Sequence, residues 1–210
     1  MTNPLRVIAI DGPAASGKSS VARALARKLG MSYVNSGAMY RAFTWHVLQH
    51  QIDPHDTPAV LDLLRTMDFQ CGLNGSESSI LIDGIDPEPH LSDTLVNQNV
   101  SIIASIPEVR SYLVAKQREY KIDLVMEGRD IGSVVFPATK WKFYVDASPE
   151  VRAARRAKQG VHDEIIKRDQ RDSSRTNSPL TMAKDAQFID SSNLTIDEVV
   201  KIITDKINLV

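Results

Sequence analysis

The sequence is poor in cysteine, in net charge and in long apolar runs. One cysteine, Cys71, stands among 210 residues. That excludes a disulfide scaffold and fits a reducing compartment. Lys and Arg number 25 and Asp and Glu 26, a net charge of −1 that by itself points to no partner. The longest apolar run near the start, Val7 to Ile10, is too short for a signal-peptide core or a membrane span. A soluble, cytoplasmic protein is expected. Hydrophobic residues make up 42% and charged residues 24%, ordinary values that exclude collagen-like, low-complexity and disordered chains. The length suits one domain with smaller insertions and can bury a core without disulfides or metal.

The neutral total hides a segregation. Residues 1–49 carry +5, residues 50–100 carry −8, residues 101–139 balance, residues 140–175 carry +4 and residues 176–210 carry −2. Two basic regions flank an acidic one, which raises the question of what anion they hold.

Arg6 to Asp11 reads as a buried strand ending at Gly12. Val21, Leu25 and Leu29 recur every four residues, with Arg23, Arg27 and Lys28 facing away, so a helix follows, stopped by Gly30. Ser32 to Asn35 reads as a second strand and Met39 to Gln49 as a helix. Thr57 to Met67 is helical, with Pro58 near its start. Phe69 to Leu73 and Ser79 to Ile82 are short strands around Asn74-Gly75-Ser76, and Asp83-Gly84 is a further turn. Together they predict a small antiparallel sheet inserted between larger elements. Cys71, within it, reads as a small apolar residue and not as a reactive thiol.

Ser105-Ile106-Pro107-Glu108 has the pattern of a capping box opening a helix. Leu124 to Glu127 and Trp141 to Val145 read as strands. Ser148-Pro149-Glu150 starts another helix, ended by Gly160. Phe188 to Asp190 is a short strand. Thr195 with Glu198 caps a last helix whose core face is Ile196, Val199, Val200, Ile203 and Ile207. Strands alternating with helices predict an α/β fold, a parallel sheet flanked by helices.

Gly12-Pro13-Ala14-Ala15-Ser16-Gly17-Lys18-Ser19 fits G-x-x-x-x-G-K-[ST] between a strand and a helix. The two glycines let successive N–H groups point inward, where they and the helix N-terminus hold phosphate oxygens. Lys18 adds charge at the β- and γ-phosphates, and the Ser19 hydroxyl is placed for Mg²⁺. The motif predicts a nucleoside triphosphate but does not name the reaction.

Three classes share such a loop. A switch GTPase needs N-K-x-D, and only Thr139-Lys140-Trp141-Lys142, without the aspartate, begins to approach it. A motor ATPase needs an apolar strand ending in Asp-Glu, whereas here the strand ends Val125-Met126-Glu127-Gly128. A small kinase needs an acceptor site and a basic cover. Asn35-Ser36-Gly37-Ala38-Met39-Tyr40-Arg41 opens a helix with a serine and an arginine near its start, an anion site. Gly128-Arg129-Asp130 follows a buried strand, where ligands bind in doubly wound sheets. Arg168, Arg171, Asp172 and Arg175 share one helical face, which beside a phosphate loop reads as a lid over transferring phosphates. Taken singly, Ser101 reads as a helix-surface serine and Arg41 and Arg110 as solvated surface arginines.

These pieces resemble the bacterial cytidylate kinases, of the nucleoside monophosphate kinase superfamily. The match rests on Ile10-Asp11-Gly12-Pro13 with the loop to Ser20, on Ser36-Gly37-Ala38-Met39-Tyr40-Arg41, and on Gly128-Arg129-Asp130-Ile131-Gly132 with Val134-Val135-Phe136-Pro137. It continues through Asp146-Ala147-Ser148-Pro149-Glu150-Val151-Arg152 and Arg168-Asp169-Gln170-Arg171-Asp172. The resemblance implies a single phosphate-loop kinase domain over 1–210, with a monophosphate-binding insertion at about 37–120 and a short lid at about 153–177.

It further implies that Gly12, Pro13, Ala14, Ala15, Ser16, Gly17, Lys18, Ser19 and Ser20 bind ATP, with Mg²⁺ on Ser19. Ser36, Arg41 and Arg129 would hold the acceptor phosphate region, and Ser101, Arg110 and Asp130 would read cytosine. Arg168, Asp172 and Arg175 would serve the acceptor and the transferred group. Lys18, Arg129, Arg168 and Arg175 become the catalytic set. The expected reaction moves the γ-phosphoryl group of ATP to CMP or dCMP, in a monomer without nucleic-acid or membrane partners. The alternatives are a kinase for another nucleotide or small metabolite, and a nucleotide-regulated binding protein. Asn35 departs from the family pattern, which has an acidic residue there. Glu127, at a strand end, is placed to reach Mg²⁺ through water.

Overall fold

The computed structural model describes residues 5–158 and 180–208. The chain divides into two compact units, Met1–Asn35 with Lys121–Val210, and Ser36–Tyr120.

The first unit is built on five parallel strands: β1 (Val7–Asp11), β2 (Ser32–Asn35), β5 (Leu124–Gly128), β6 (Trp141–Asp146) and β7 (Gln187–Asp190). Their order is β2-β5-β1-β6-β7. All five residues of β1 are buried, as its continuous apolar run requires of a strand between two others. Register aligns the carboxyl ends: Asp11 pairs with Gly128 and Asn35 with Glu127. The loop after β1 therefore opens where the chain leaves on either side of the central strand, the place where doubly wound sheets hold ligands.

Helix α1 (Lys18–Leu29) buries Val21, Ala22, Leu25 and Ala26 and places Arg27 and Lys28 in its last turn, against the negative end of the helix dipole. Gly30 stops it in the left-handed conformation, φ 63°, and Met31 N–H donates to Ala26 O at 2.9 Å, closing a Schellman turn. The last helix of the chain, α7 (Ile196–Asn208), packs beside α1 on the same sheet face. Its Val199, Val200 and Ile203 join Leu25, Ile8, Ile10, Phe143 and Val145 in one core. The Thr195–Glu198 box forms: Thr195 N–H donates to Glu198 Oε2 at 2.8 Å and Glu198 N–H to Thr195 Oγ1 at 3.3 Å. Ile196, expected on the core face, is 46% exposed, because it occupies the first turn beyond the core edge. Helix α6 (Pro149–Lys158) starts as expected, with Val151 N–H donating to Ser148 Oγ. Its expected end at Gly160 lies outside the described residues.

The second unit holds α2 (Ser36–Gln49), α3 (Thr57–Thr66), the antiparallel hairpin β3 (Phe69–Asn74) and β4 (Glu77–Ile82), α4 (Thr94–Ile103) and α5 (Pro107–Gln117). Gly75, φ 61°, makes the two-residue turn between the strands. Phe43, Val47, Val60, Phe69, Ile82, Val100, Ile103, Val109 and Leu113 form its core. Three expectations change here. Helix α2 begins at Ser36, three residues before Met39, so the serine and arginine lie within the helix. Helix α4 has no counterpart in the sequence reading. The Ser105 capping box does not form: its hydroxyl donates back to Ile102 O at 2.6 Å, and Ile106 occupies the cap position of α5.

Candidate active site

The phosphate loop is shaped by three residues with positive φ: Gly12 (154°), Ala15 (58°) and Gly17 (89°). At Gly12 the need for glycine is also steric, because a Cβ there would stand 2.0 Å from Val145 O of neighbouring β6. Helix α6 braces the loop from outside. Arg152 Nη1 donates to Ala14 O at 3.2 Å, and Arg155 Nη1 donates to Ser16 O at 3.0 Å. Arg155 also donates to Ser191 O at 2.7 Å, and Ser191 Oγ donates to Ser16 O at 2.9 Å. These bonds use loop carbonyls, which leaves the loop amides to face the other way.

Lys18 is buried, donates Nζ–H to Pro13 O at 3.0 Å and lies 3.9 Å from Glu127 Oε2. Ser19 Oγ donates to Glu127 Oε1 at 2.8 Å, and Tyr33 OH donates to the same oxygen at 3.3 Å. A hydroxyl and a carboxylate meeting beside a lysine are hard oxygen donors of the kind Mg²⁺ takes. Glu127 stands at the end of β5, one residue before the strand's last rung with Asp11.

Asp11 is a site residue that the motif does not name. Its Oδ1 accepts from Ile131 N–H at 2.7 Å and its Oδ2 from Gly132 N–H at 2.8 Å. These amides open a wide turn, Ile131–Val135, in which Val135 N–H reaches back five residues to Asp130 O at 3.1 Å. Asp11 thus ties the phosphate loop to the Arg129–Asp130 segment within one unit. Burial pushes its carboxyl up from 3.8 to about 7; the two amides and Lys18 pull it down, and Asp130 adds to the rise.

Arg129 is half-buried and Asp130 buried, directly after β5. In the other unit, Ser36 is buried at the start of α2 and Arg41 lies one turn on, half-buried. Ser101 on α4 and Arg110 on α5 are buried, at 7% and 4% exposure. That corrects their reading as surface residues. Arg110 donates Nη1–H to Ala104 O at 3.1 Å and lies over the Tyr40 ring at 5.3 Å. A buried arginine held by a carbonyl and an aromatic face is oriented, and such residues are seldom buried without a task. Ser20 is exposed on α1. Arg168, Asp172 and Arg175 lie outside the described residues, as does most of the expected lid.

A family model described as cytidylate kinase matches residues 8–209. The chain belongs to the cytidylate kinase family. It is 45% identical over 208 residues to a cytidylate kinase of Desulforamulus reducens, covering 93% of each chain. It is 43% identical to one from Clostridium botulinum, covering 92% of this chain and 93% of that one. A third, from Caldanaerobacter subterraneus, is 42% identical over 214 residues, covering 96% of this chain and 94% of its own. Among solved structures, an unliganded sugar kinase from Janibacter sp. HTCC2649 has a TM-score of 0.52 at 12% identity, covering 98% of this chain and 95% of its own. That likeness speaks to the fold alone. Family membership makes the chain an ATP-dependent phosphotransferase. Among the described residues no helix is long and apolar enough to cross a membrane.

Proposed function

We propose that the protein transfers the γ-phosphoryl group of ATP to CMP, and also to dCMP, giving the diphosphate and ADP. The observation that carries this reading is the complete phosphate loop, with Lys18, Ser19 and Glu127 converging, in a chain of the cytidylate kinase family. In this reading the loop from Gly12 to Ser20 wraps the ATP phosphates, its N–H groups other than at Pro13 donating to their oxygens, and Lys18 neutralises the charge that spreads as the phosphoryl group leaves. Ser19, with Glu127 beside it, would hold Mg²⁺, which supplies positive charge on the phosphate oxygens.

The acceptor phosphate is largely a dianion at neutral pH, its second pKa being about 6, so no general base is required. Rate comes from positioning and charge neutralisation. Ser36, Arg41 and Arg129 take the acceptor phosphate. Arg168, Asp172 and Arg175 serve the acceptor and the transferred group. Asp130 accepts from the cytosine N4 amine, while Arg110 and Ser101 donate to its N3 and O2. Uracil would set an O4 acceptor against the carboxylate, a mismatch worth several powers of ten in a buried site. We read the protein as a cytoplasmic monomer; its single unpaired thiol fits that compartment.

A coupled ADP-release assay with CMP, dCMP, UMP, AMP and GMP tests the acceptor. Turnover should be fastest with the cytidine nucleotides, and equal or faster turnover of AMP or UMP would overturn the cytosine assignment. Lys18→Ala should abolish transfer with the circular-dichroism spectrum unchanged; normal turnover would refute the loop's role.

A further inference from the structure

Within the Ser36–Tyr120 unit, two histidines and an aspartate converge, none of them given a role above. His46 lies in the last turn of α2 and His50 just past its end, where its N–H still donates to His46 O at 3.2 Å, and the two rings stand edge-on with centroids 4.6 Å apart. Asp83 reaches them from the turn after β4. Ile82 and Ile85 exchange two hydrogen bonds of 2.9 Å across Asp83-Gly84, and both turn residues have positive φ, 50° and 79°. This is the tight type I′ geometry that Asp-Gly favours, so the aspartate's backbone is fixed.

Its side chain is fixed as well. Asp83 Oδ1 accepts Asp68 N–H at 2.8 Å, which turns Oδ2 toward His46 Nε2, 3.3 Å away. The His46 side chain is only 6% exposed, and its Nε2 makes no aligned hydrogen bond. One ligand atom from each of the three residues lies within 4.8 Å of the others.

We propose that His46, His50 and Asp83 bind a divalent transition-metal ion of the Zn²⁺ class. Two imidazole nitrogens and a carboxylate oxygen are a donor set that such ions take, with water completing a tetrahedron. Ligand atoms around such an ion stand about 3.4 Å apart, as metal–ligand bonds of about 2.1 Å require. His46 and Asp83 already meet that spacing, and His50, exposed, has the freedom to close on it. The Asp68 amide does what outer partners do at metal sites: it orients the carboxylate. The −8 charge of residues 50–100 favours a cation there. The ion would clamp the end of α2 to the β4 turn, and its role is distinct from Mg²⁺ at the phosphate loop.

The test uses the full chain, chelator-stripped and without nucleotide, titrated with Co²⁺ and then Zn²⁺ in excess Mg²⁺. One equivalent of Co²⁺ should give visible absorption of a tetrahedral nitrogen–oxygen site, which Zn²⁺ abolishes, and Zn²⁺ should raise the melting temperature. His50→Ala and Asp83→Asn alter exposed side chains, and asparagine tolerates the turn conformation. Each should lose the absorption and weaken Zn²⁺ binding by at least about tenfold. Cys71→Ser should change neither. The proposal fails if the wild-type chain shows no one-equivalent binding, or if binding survives both histidine and aspartate substitutions unchanged.

Discussion

Replacing Asp11 with asparagine isolates the most perturbed carboxyl beside the phosphate loop. Asp11 is 4% exposed and accepts two amides, one on each oxygen. Asparagine keeps one acceptor and turns an NH₂ donor against the other amide, which costs about 1–3 kcal/mol. The pH dependence is the sharper test. Burial lifts the folded carboxyl to about 7 against 3.8 for the free group, so the native state holds a proton that the unfolded chain has released between those values. The contribution to stability is therefore fully present below about pH 4 and is lost as pH rises through about 7. At about 1.4 kcal/mol per unit of displacement, the loss between pH 5 and pH 8 is on the order of 2–3 kcal/mol. The amide of the Asp11→Asn variant does not titrate. Urea unfolding of both proteins at pH 5, 6.5 and 8 should show the wild-type advantage shrinking with pH by that order. An advantage that stays constant or grows with pH would refute the reasoning, because it would mean that the two amides keep the carboxylate ionised throughout.

Gly12→Ala should abolish ATP binding and destabilise the chain by about 3 kcal/mol, because its Cβ meets a β6 carbonyl at 2.0 Å. Gly30→Ala, with nothing within 4 Å but φ 63°, should cost about 1 kcal/mol in the same unfolding measurement. Arg155→Ala removes the donor to Ser16 O and Ser191 O; the KM for ATP should rise about tenfold with a smaller change in kcat, read by steady-state kinetics. Thr195→Ala should lower stability by about 1 kcal/mol and leave kcat and both KM values unchanged.

What can be read from the sequence is what local rules encode. Helix α1 announces itself through Val21 and Leu25 spacing and a terminal Gly30, and the Thr195–Glu198 box forms as written. The phosphate loop needs only its own glycines and the adjoining strand and helix. Helix α4 escapes such reading because Asn97 and Asn99 interrupt its apolar Val96, Val100, Ile103 face and Asp93 makes no side-chain cap. The Ile131–Val135 turn escapes it because a five-residue return has no sequence period of its own. Burial of Ser101 and Arg110 is not legible either: polar side chains are placed inside by the tertiary packing of α4 and α5, not by pattern. Asp11 looks like the end of a strand, and its two amide partners lie about 120 residues away.

Helix α6 has consequences for calorimetry. Among its described residues none is buried, yet Arg152 and Arg155 reach carbonyls of Ala14, Ser16, Ala147 and Ser191. The helix is therefore fastened to the phosphate loop by directional bonds and not by apolar burial. Detaching it would absorb heat as those bonds break, while exposing little apolar surface and so adding little heat capacity. In a scanning experiment such an element should leave ahead of the sheet, in a transition with enthalpy but almost no baseline step.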